Sequence, residues 1–518
     1  MTQIPVELTL LIFSDLDFRQ VLRCRQACKS FRDIVDSDAA IQYKINLALG
    51  CMEDNPSNRL GIIKKKNLLR LHQMAWWNLS PAALAPFKGD ETTSGPRRWG
   101  AYISSTGRGE LTHTKVNQLP SQIRRIPGAS WYLGDIAEGN SGEIVRLDPA
   151  QNLILVFGDA WDELDQNGDV TTWIAVYPIS MIDGAAHPAA ASPTLPIVVD
   201  GTIAHQHIDV FGDYFIFVEI LHRTSMELRV FNWKTGNVHL WLRGYGIGEC
   251  NFISDSHIII SLLGMKNVRW RSTSCLAIAK VDPEQIVTQA MKPKGSSFVC
   301  ILRYPNSRLS SINLNVLTAG SYAMCEPYKT DVPFRYANEH ALVDIRLGIS
   351  RDLELIHLIP LSILRRIIGD TNGVTRVFQW EDWAMETFLL NLDDYCTDRG
   401  LCRTKLLAAR GVENGWCLRL YDFNQRLVKL AQSCAPDALK ELGAEGEIVQ
   451  LSSNIPEDVA RAFPLPPRFC YMVEKVLGAR LFHSTALNHT PHLTLGEDWI
   501  EFGALMAEGG IGKFLAVF

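Results

Sequence analysis

Side chains that could do chemistry are few and poorly grouped. Asp159 and Asp162 form an acid pair of the kind a hydrolase uses as general acid and base. Glu163, Asp165, Asn167 and Gly168 imitate the first half of a calcium loop, but the twelfth position, where a bidentate acid belongs, is Ile174 in a strand-like run. A solvated acidic turn is the better reading. His205 and His207 are two apart, so on a strand they share a face and could bind metal, yet no cysteine or acid accompanies them at ligand spacing. His483, His489 and His492 form a looser cluster, and Cys396 and Cys402 lack a second pair. Gly244-Tyr245-Gly246-Ile247-Gly248 is glycine-rich but lies among strand-like runs with no helix-opening context, which makes it a connecting loop, not a nucleotide site. No Walker loop, nucleophile elbow or kinase signature is present. The residues therefore lead to no expected cofactor or metal, and the acid pair alone keeps a catalytic reading open.

Composition narrows the classes further. A chain of 518 residues, 47% hydrophobic, can bury at least one large core and is long enough for more than one domain. Its 51 basic and 56 acidic residues leave a net charge of -5, without the excess cation of a nucleic-acid footprint. The twelve cysteines are scattered without paired spacing, and Met1-Thr2-Gln3 runs into Ile4-Pro5 without a basic then apolar leader. The longest apolar runs, such as Ile258 to Leu263, stop far short of the roughly 18 residues of a membrane span. The expectation is a soluble protein with reduced thiols, cytoplasmic and/or nuclear, with neither nucleic acid nor membrane as partner.

The first fifty residues are the informative ones. Pro5 suits the start of a helix, and Val6 to Phe13 reads as a short one ending before Asp15-Leu16-Asp17. Asp17 and Gln20 form a capping-box variant opening a second helix, in which Cys24, Cys28, Phe31 and Val35 recur at helical spacing. Ser37 or Asp38 caps a third, with Ile41, Ile45 and Ala48 on one face and Gly50 at its end. Val6, Leu8, Leu10, Leu11, Ile12 and Phe13 go nearly all the way round the first helix. So small a unit cannot cover them all, so that helix must press against another domain or another chain.

Four runs then carry a resemblance: Ile4-Pro5-Val6-Glu7-Leu8, Ile12 to Asp17, Val21-Leu22-Arg23-Cys24-Arg25, and Cys28 to Ile34. Together, over more than thirty residues without a gap, they resemble an F-box. That resemblance implies a Skp-type adaptor as partner, and through it a cullin carrying a RING subunit. It also implies that Ile4, Pro5, Leu8, Ile12, Leu16, Leu22, Cys28 and Phe31 make or support the adaptor contact. The sequence departs from the family pattern at Ile4, Gln20, Ala27 and Phe31, where Leu, an acid, Val and Trp are usual. Ile4 and Phe31 keep apolar bodies; Ala27 removes volume.

Residues 51 to 94 read as a connector: a polar turn at Glu53 to Asn58, then an amphipathic helix through Lys64-Lys65-Lys66, Leu68, Leu69, Leu71, Met74, Ala75 and Trp77. The three lysines are read as a solvated helix face. From residue 95 the pattern is short β-rich runs separated by turns, three of them repeating strand, turn, strand and a further strand: Ile144 to Tyr177, Ile208 to Trp233 and Cys250 to Ala279. Asn232 to Gly236 turns the chain into Val238 to Leu242, an arrangement that resembles the closing strands of a WD-repeat blade. Later runs, Ala341 to Leu358, Val374 to Leu390, Thr404 to Ala409 and Cys417 to Phe423, alternate as strands should. Asp437 to Leu442 and Pro466 to Leu477 have helical character and are read as insertions, and Ala185 to Pro196 as a mobile loop tip. Phe514 to Phe518 is an apolar strand able to pair with an early one and close a ring.

The fold class expected is therefore α+β and multidomain: a three-helix F-box over 1–50, a helical connector over 51–94, and a large all-β domain over 95–518. That domain is read as a β-propeller of six or seven blades, with a pair of β-sandwiches as the alternative. With Ile41 to Ile45, Asn232 to Gly236 and Tyr421 to Asn424, the chain resembles fungal F-box proteins carrying a divergent WD-repeat-like propeller region. The function this implies is that of a substrate-recognition subunit of an SCF-type (Skp-cullin-F-box) ubiquitin ligase, an adaptor without a catalytic site of its own. Two alternatives stand beside it: a non-degradative F-box scaffold, and a propeller-borne hydrolase using Asp159 and Asp162.

Overall fold

The computed structural model describes residues 4–81, 83–87, 101–104, 115–118, 121, 123–126, 128–133, 144–164, 168, 170–203, 208–222, 225–264, 273–305, 313–317, 332–349, 353–371, 373–392, 399–412, 415–433, 443–451, 455–478, 492–495, 499–505 and 511–517.

Four helices, not three, open the chain: α1 (Val6–Asp15), α2 (Phe18–Ala27), α3 (Lys29–Ser37) and α4 (Ala39–Leu49). The expected second helix is broken at Cys28, whose extended backbone ends α2 while its Sγ accepts the Phe31 N–H at 3.5 Å and so caps α3. The Asp17 capping box forms as expected: Asp17 Oδ1 accepts from the Arg19 and Gln20 amides, and Gln20 Oε1 accepts from the Asp17 amide. Asp38 caps α4 by accepting from Ala40 and Ile41. A fifth helix, α5 (Ile62–Trp77), lies in the connector and packs on α4.

Among the described residues the β region holds seven sheets of three to five strands, taken up one after another along the chain. They span 101–132, 144–199, 202–245, 247–303, 313–391, 399–478 and 492–517, with strand Arg376–Phe378 added parallel to the edge of the fourth. Six apolar clusters join these sheets in series. Phe157 and Val176 of the second meet Phe215 and Phe217 of the third; Ile216 and Val230 of the third meet Phe252, Ile258 and Ile260 of the fourth. Ile259, one residue away, turns the other way, to Ile345 and Leu355 of the fifth. The same switch sends Leu406 and Ala408 toward the fifth sheet and Leu407 and Ala409 toward Ile500 of the seventh. Stacked sheets bury both faces of each strand, which is why the runs are apolar at consecutive positions and not at alternate ones. The seventh sheet takes its last strand from far upstream: Ala83–Phe87 pairs antiparallel with Ile511–Val517. The carboxy-terminal strand thus finds the early partner the sequence suggested, and that partner lies within the 51–94 connector.

Three segments differ from their sequence reading. Pro466 to Leu477 is not helical: from Phe469 it is part of a long strand, Phe469–Gly478, hydrogen-bonded to Gly415–Asp422. Val374 to Leu390 contains short helical turns at Trp380–Glu386 between its two strands. Ala185 to Pro196 is tied down: His187 packs edge-on against Trp233 at 4.8 Å, and its Nε2 lies 3.0 Å from the Gln151 carbonyl. Asp437 to Leu442 lies outside the described residues. Helices Leu361–Gly369, Gln425–Ser433 and Glu457–Ala462 were not anticipated.

A buried polar relay stiffens the fifth sheet. The Thr387 hydroxyl donates to the Ala384 carbonyl at 2.7 Å, so its oxygen accepts from His357 Nε2 at 2.8 Å, and His357 Nδ1 accepts from the Tyr304 hydroxyl at 2.8 Å. Every donor is used only if the imidazole is neutral, and burial pushes its pKa down to about 3. Its folded pKa lies below the unfolded one, so its contribution is complete above about pH 6.5 and is lost as pH falls toward 3.

Two outcomes are expected from this packing. Ile259→Ala removes a fully buried side chain between two sheets and is expected to lower the unfolding free energy by about 2–5 kcal/mol, read as a lower urea midpoint. Lowering pH from 7 to 5 is expected to cost the wild-type chain about 2 kcal/mol more than a His357→Gln chain in the same urea titration.

Candidate functional site

The helices α1 to α4 bury one small core and leave a large apolar face uncovered. Phe13, Val21, Val35, Ile41, Ile45 and Leu49 are buried together, with Leu16, Leu22 and Phe31 packed half-buried against them. Phe13 meets Phe31 edge-on with ring centres 5.4 Å apart. On the other side of α1, helical spacing puts Leu8, Leu11 and Ile12 in one stripe. They are 53%, 65% and 50% exposed, and Ile4 and Val6 beside them 60% and 52%. Pro5 and Cys28 are exposed as well.

The residues singled out by sequence thus divide in two. Ile4, Pro5, Leu8, Ile12 and Cys28 present surface, whereas Leu16, Leu22 and Phe31 support the unit from within. Leu11, read from the sequence as part of the apolar excess of this helix but not included in the adaptor contact, belongs to the exposed stripe. Ala27 is exposed at the end of α2, so its missing volume opens no hole in the core. Lys44 Nζ holds the end of α1 in place by donating to the Ser14 carbonyl at 2.7 Å and to that of Leu16.

The unit is fixed to the β region by polar as well as apolar bonds. Met52–Asp54 pairs with Phe334–Tyr336 as a two-stranded sheet. Asp54 Oδ1 accepts from Tyr43 Oη at 2.9 Å and from Lys65 Nζ at 2.8 Å. Lys65 also donates to the Asn55 carbonyl and is buried, contrary to the expected solvated face; Lys64 alone of the three lysines is fully exposed. Arg426 donates to the Ala48 carbonyl at 2.9 Å and Asn424 to that of Leu49. From α5, Trp76 and Trp77 enter the cluster of the sixth and seventh sheets, and the Trp77 carbonyl accepts from the Tyr471 hydroxyl at 2.8 Å. Buried Lys405 lies 5.9 Å from the Trp76 ring and 4.9 Å from that of Tyr336. Burial opposes its charge, but Asp422 at 3.6 Å, then Tyr336, hold its pKa above the ordinary lysine range.

Among the described residues, those suggested for catalysis or metal binding are not assembled. Asp159 and Asp162 are exposed on one strand, Asp159 in a bulge of its pairing and Asp162 accepting from the Thr172 hydroxyl at 2.7 Å, so nothing sets the two as a facing pair. Ile174 is buried in its strand. Residues 244–248 join two strands, with Gly246 at φ +68° making the turn. Among the described residues no three His, Cys, Asp or Glu side chains are grouped to hold a metal, and no helix is long and apolar enough to cross a membrane. His205, His207, Asp165, Asn167, Cys396, His483 and His489 lie outside the described residues.

Residues 1–47 match the F-box-like family model. The chain opens with an F-box-like domain. A large β-rich region follows it. No curated protein matches the sequence. Among solved structures, an uncharacterized protein from Listeria monocytogenes aligns with 66% of this chain and 82% of its own length, at 8% identity and a TM-score of 0.32. The WD40 domain of SCAP from fission yeast aligns over 84% and 94%, at 7% identity and a TM-score of 0.32. An acylaminoacyl peptidase in complex with a chloromethyl ketone aligns over 69% and 56%, at 10% identity and a TM-score of 0.20. At these scores none of the three bears on the architecture, which rests on the strand pairings.

The exposed stripe and the buried face of α1 should respond oppositely to substitution. Leu8→Glu and Ile12→Glu are expected to leave the unfolding free energy of the chain, read from its thermal unfolding, within about 0.5 kcal/mol of wild type. Phe13→Ala, 2% exposed, is expected to cost about 3–5 kcal/mol and to loosen α1 in hydrogen exchange.

Proposed function

We propose that this chain is the substrate-recognition subunit of an SCF-type ubiquitin ligase. The observation that carries the reading is the bare stripe of Leu8, Leu11 and Ile12 with Ile4 and Pro5, on a unit whose opposite face is fully packed. Contiguous exposed apolar faces of this kind mark surfaces that another surface covers. The matched F-box-like domain supports a Skp-type adaptor as that cover, with the cullin and its RING subunit reached through the adaptor. Ubiquitin transfer then takes place on partner chains, in keeping with the F-box-like match and the scattered acids of this one.

The β region is the target-binding part in this reading, and its architecture is a seven-bladed propeller. Three facts support that architecture: seven successive sheets, apolar clusters joining each to the next, and completion of the last by strand Ala83–Phe87 from before the first. Such a ring leaves few free sheet edges, which a pair of sandwiches would not explain. On this reading the F-box occupies 1–50, the connector 51–94 lends one strand to the ring, and the propeller fills 95–518. The target is a protein, met in the cytoplasm or nucleus. The stiff joint through α5 suits a ligase subunit, because holding target and charged ubiquitin carrier at a fixed separation raises their effective concentration.

Co-purification with a Skp-type adaptor tests the proposal. Each buried apolar anchor is worth about 2 kcal/mol or more, so Leu8→Glu with Ile12→Glu is expected to weaken adaptor binding roughly a thousandfold without unfolding the chain. Unchanged binding by that double variant, or no binding by the wild-type chain, overturns the assignment.

A further inference from the structure

A cleft of about 570 Å³ lies where the F-box-like domain meets the β region, a size that suits one drug-sized organic ligand. Its walls come from distant parts of the chain. Leu22 of α2, Phe388 of the fifth sheet and Leu430 of helix Gln425–Ser433 give it an apolar floor. Arg19, Arg426, Lys429 and Arg468 give it four cations.

The carboxylates nearby do not neutralise that set. Glu386, which also lines the cleft, is already paired with Arg366 at 2.7 Å, and Glu339 lies 2.8 Å from His340 of the cleft wall and, of the four cations, reaches Arg426 alone, at 3.7 Å. Arg19 and Lys429 are both exposed and have no ion pair among the described residues. Arg468 donates to the Met385 carbonyl through Nη2, while its buried Nε has no hydrogen-bond partner. Two helix N-termini add positive potential. Helix Leu361–Gly369 starts after Pro360 with no side-chain cap, and Ser362 and Ile363 of its first turn line the cleft. Helix Gln425–Ser433 also begins at the cleft, with Gln425 and Arg426 lining it, though Asn424 Oδ1 caps it by accepting from the Arg426 and Leu427 amides. Cations, a helix start without a side-chain cap and an unpaired guanidinium donor around an apolar floor are complementary to a molecule with an anionic head and an apolar body.

We propose that this cleft binds a small amphipathic organic anion, with its phosphate or carboxylate head on Arg19, Lys429 and Arg468 and its apolar body on Leu22, Phe388 and Leu430. The ligand bridges two parts of the chain. Arg19 and Leu22 belong to the F-box-like domain and the remaining contacts to the β region, so occupancy ties the two together.

Calorimetric titration of the full chain with decyl phosphate, decanoate, decanol and inorganic phosphate tests this. Saturable one-to-one binding of decyl phosphate or decanoate is expected, with decanol and inorganic phosphate each at least about tenfold weaker. Arg19→Glu with Lys429→Glu, both at exposed positions and checked for an unchanged melting temperature, is expected to weaken the anion at least about tenfold. Four results overturn the proposal: no saturable binding of either anion, decanol binding as tightly as decanoate, inorganic phosphate binding as tightly as decyl phosphate, or unchanged affinity in the charge-reversed chain. The comparison of decanol with decanoate decides the matter even where the variant fails to fold.

Discussion

A ten-residue helix with apolar side chains nearly all the way round can bury only one of its faces inside a fifty-residue unit. Everything else about the amino-terminal region follows from that limit. Phe13 and Thr9 take the inner face of α1, and α2 to α4 supply just enough surface to cover it. Leu8, Leu11 and Ile12 are left outside. The β region, which could have covered them, instead meets the unit from the α4 side, through Ala48, Leu49 and the strand after them. The exposed face is thus a consequence of where the domain docks, and the docking side is set by hydrogen bonds that α1 does not make.

Those bonds also explain why the connector is stiff. The polar turn after α4 becomes a strand against Phe334–Tyr336, and Asp54 at its end gathers Tyr43 from α4 and Lys65 from α5. At the far end of α5, Trp76 and Trp77 are sunk in the cluster of the last two sheets, and the chain then enters the strand that completes the seventh. A helix anchored at both ends by buried side chains cannot swing without breaking both sets of contacts. The position of the exposed stripe relative to the β sheets is accordingly set by α5, not by a flexible linker.

How much of this was legible in the sequence depends on how local the deciding interaction is. The Asp17 and Gln20 cap, the Asp38 cap and the apolar excess of α1 are settled within a few residues, and each was readable. The β hairpins were readable too, because turns such as Asn232 to Gly236 carry their own signal: Asn232 Oδ1 accepts from Lys234 and Thr235, and Gly236 sits at φ +77°. Phe469–Gly478 was misread because stacking of sheets on both sides removes the alternation that marks a strand. Cys470, Val473 and Leu477 then mimic helical spacing. Lys65 was misread for a related reason: its partner Asp54 lies eleven residues away on another element, and a lysine in a run of three gives no sign of being the buried one. The break at Cys28 turned on a thiol acting as a cap, which no propensity scale anticipates.

The basic cleft is the extreme of the same rule. Arg19 lies some four hundred residues from Arg426 and Arg468, which are themselves 42 apart, and nothing in their immediate sequence groups them. They converge because α2 is carried to the ends of the fifth and sixth sheets by bonds from Asn424 and Arg426 to the end of α4. Arg426 belongs to both structures at once: its guanidinium donates to Ala48, lies 4.7 Å from the Phe18 ring and lines the cleft. The contact that orients the F-box-like domain is therefore also a wall of the cleft.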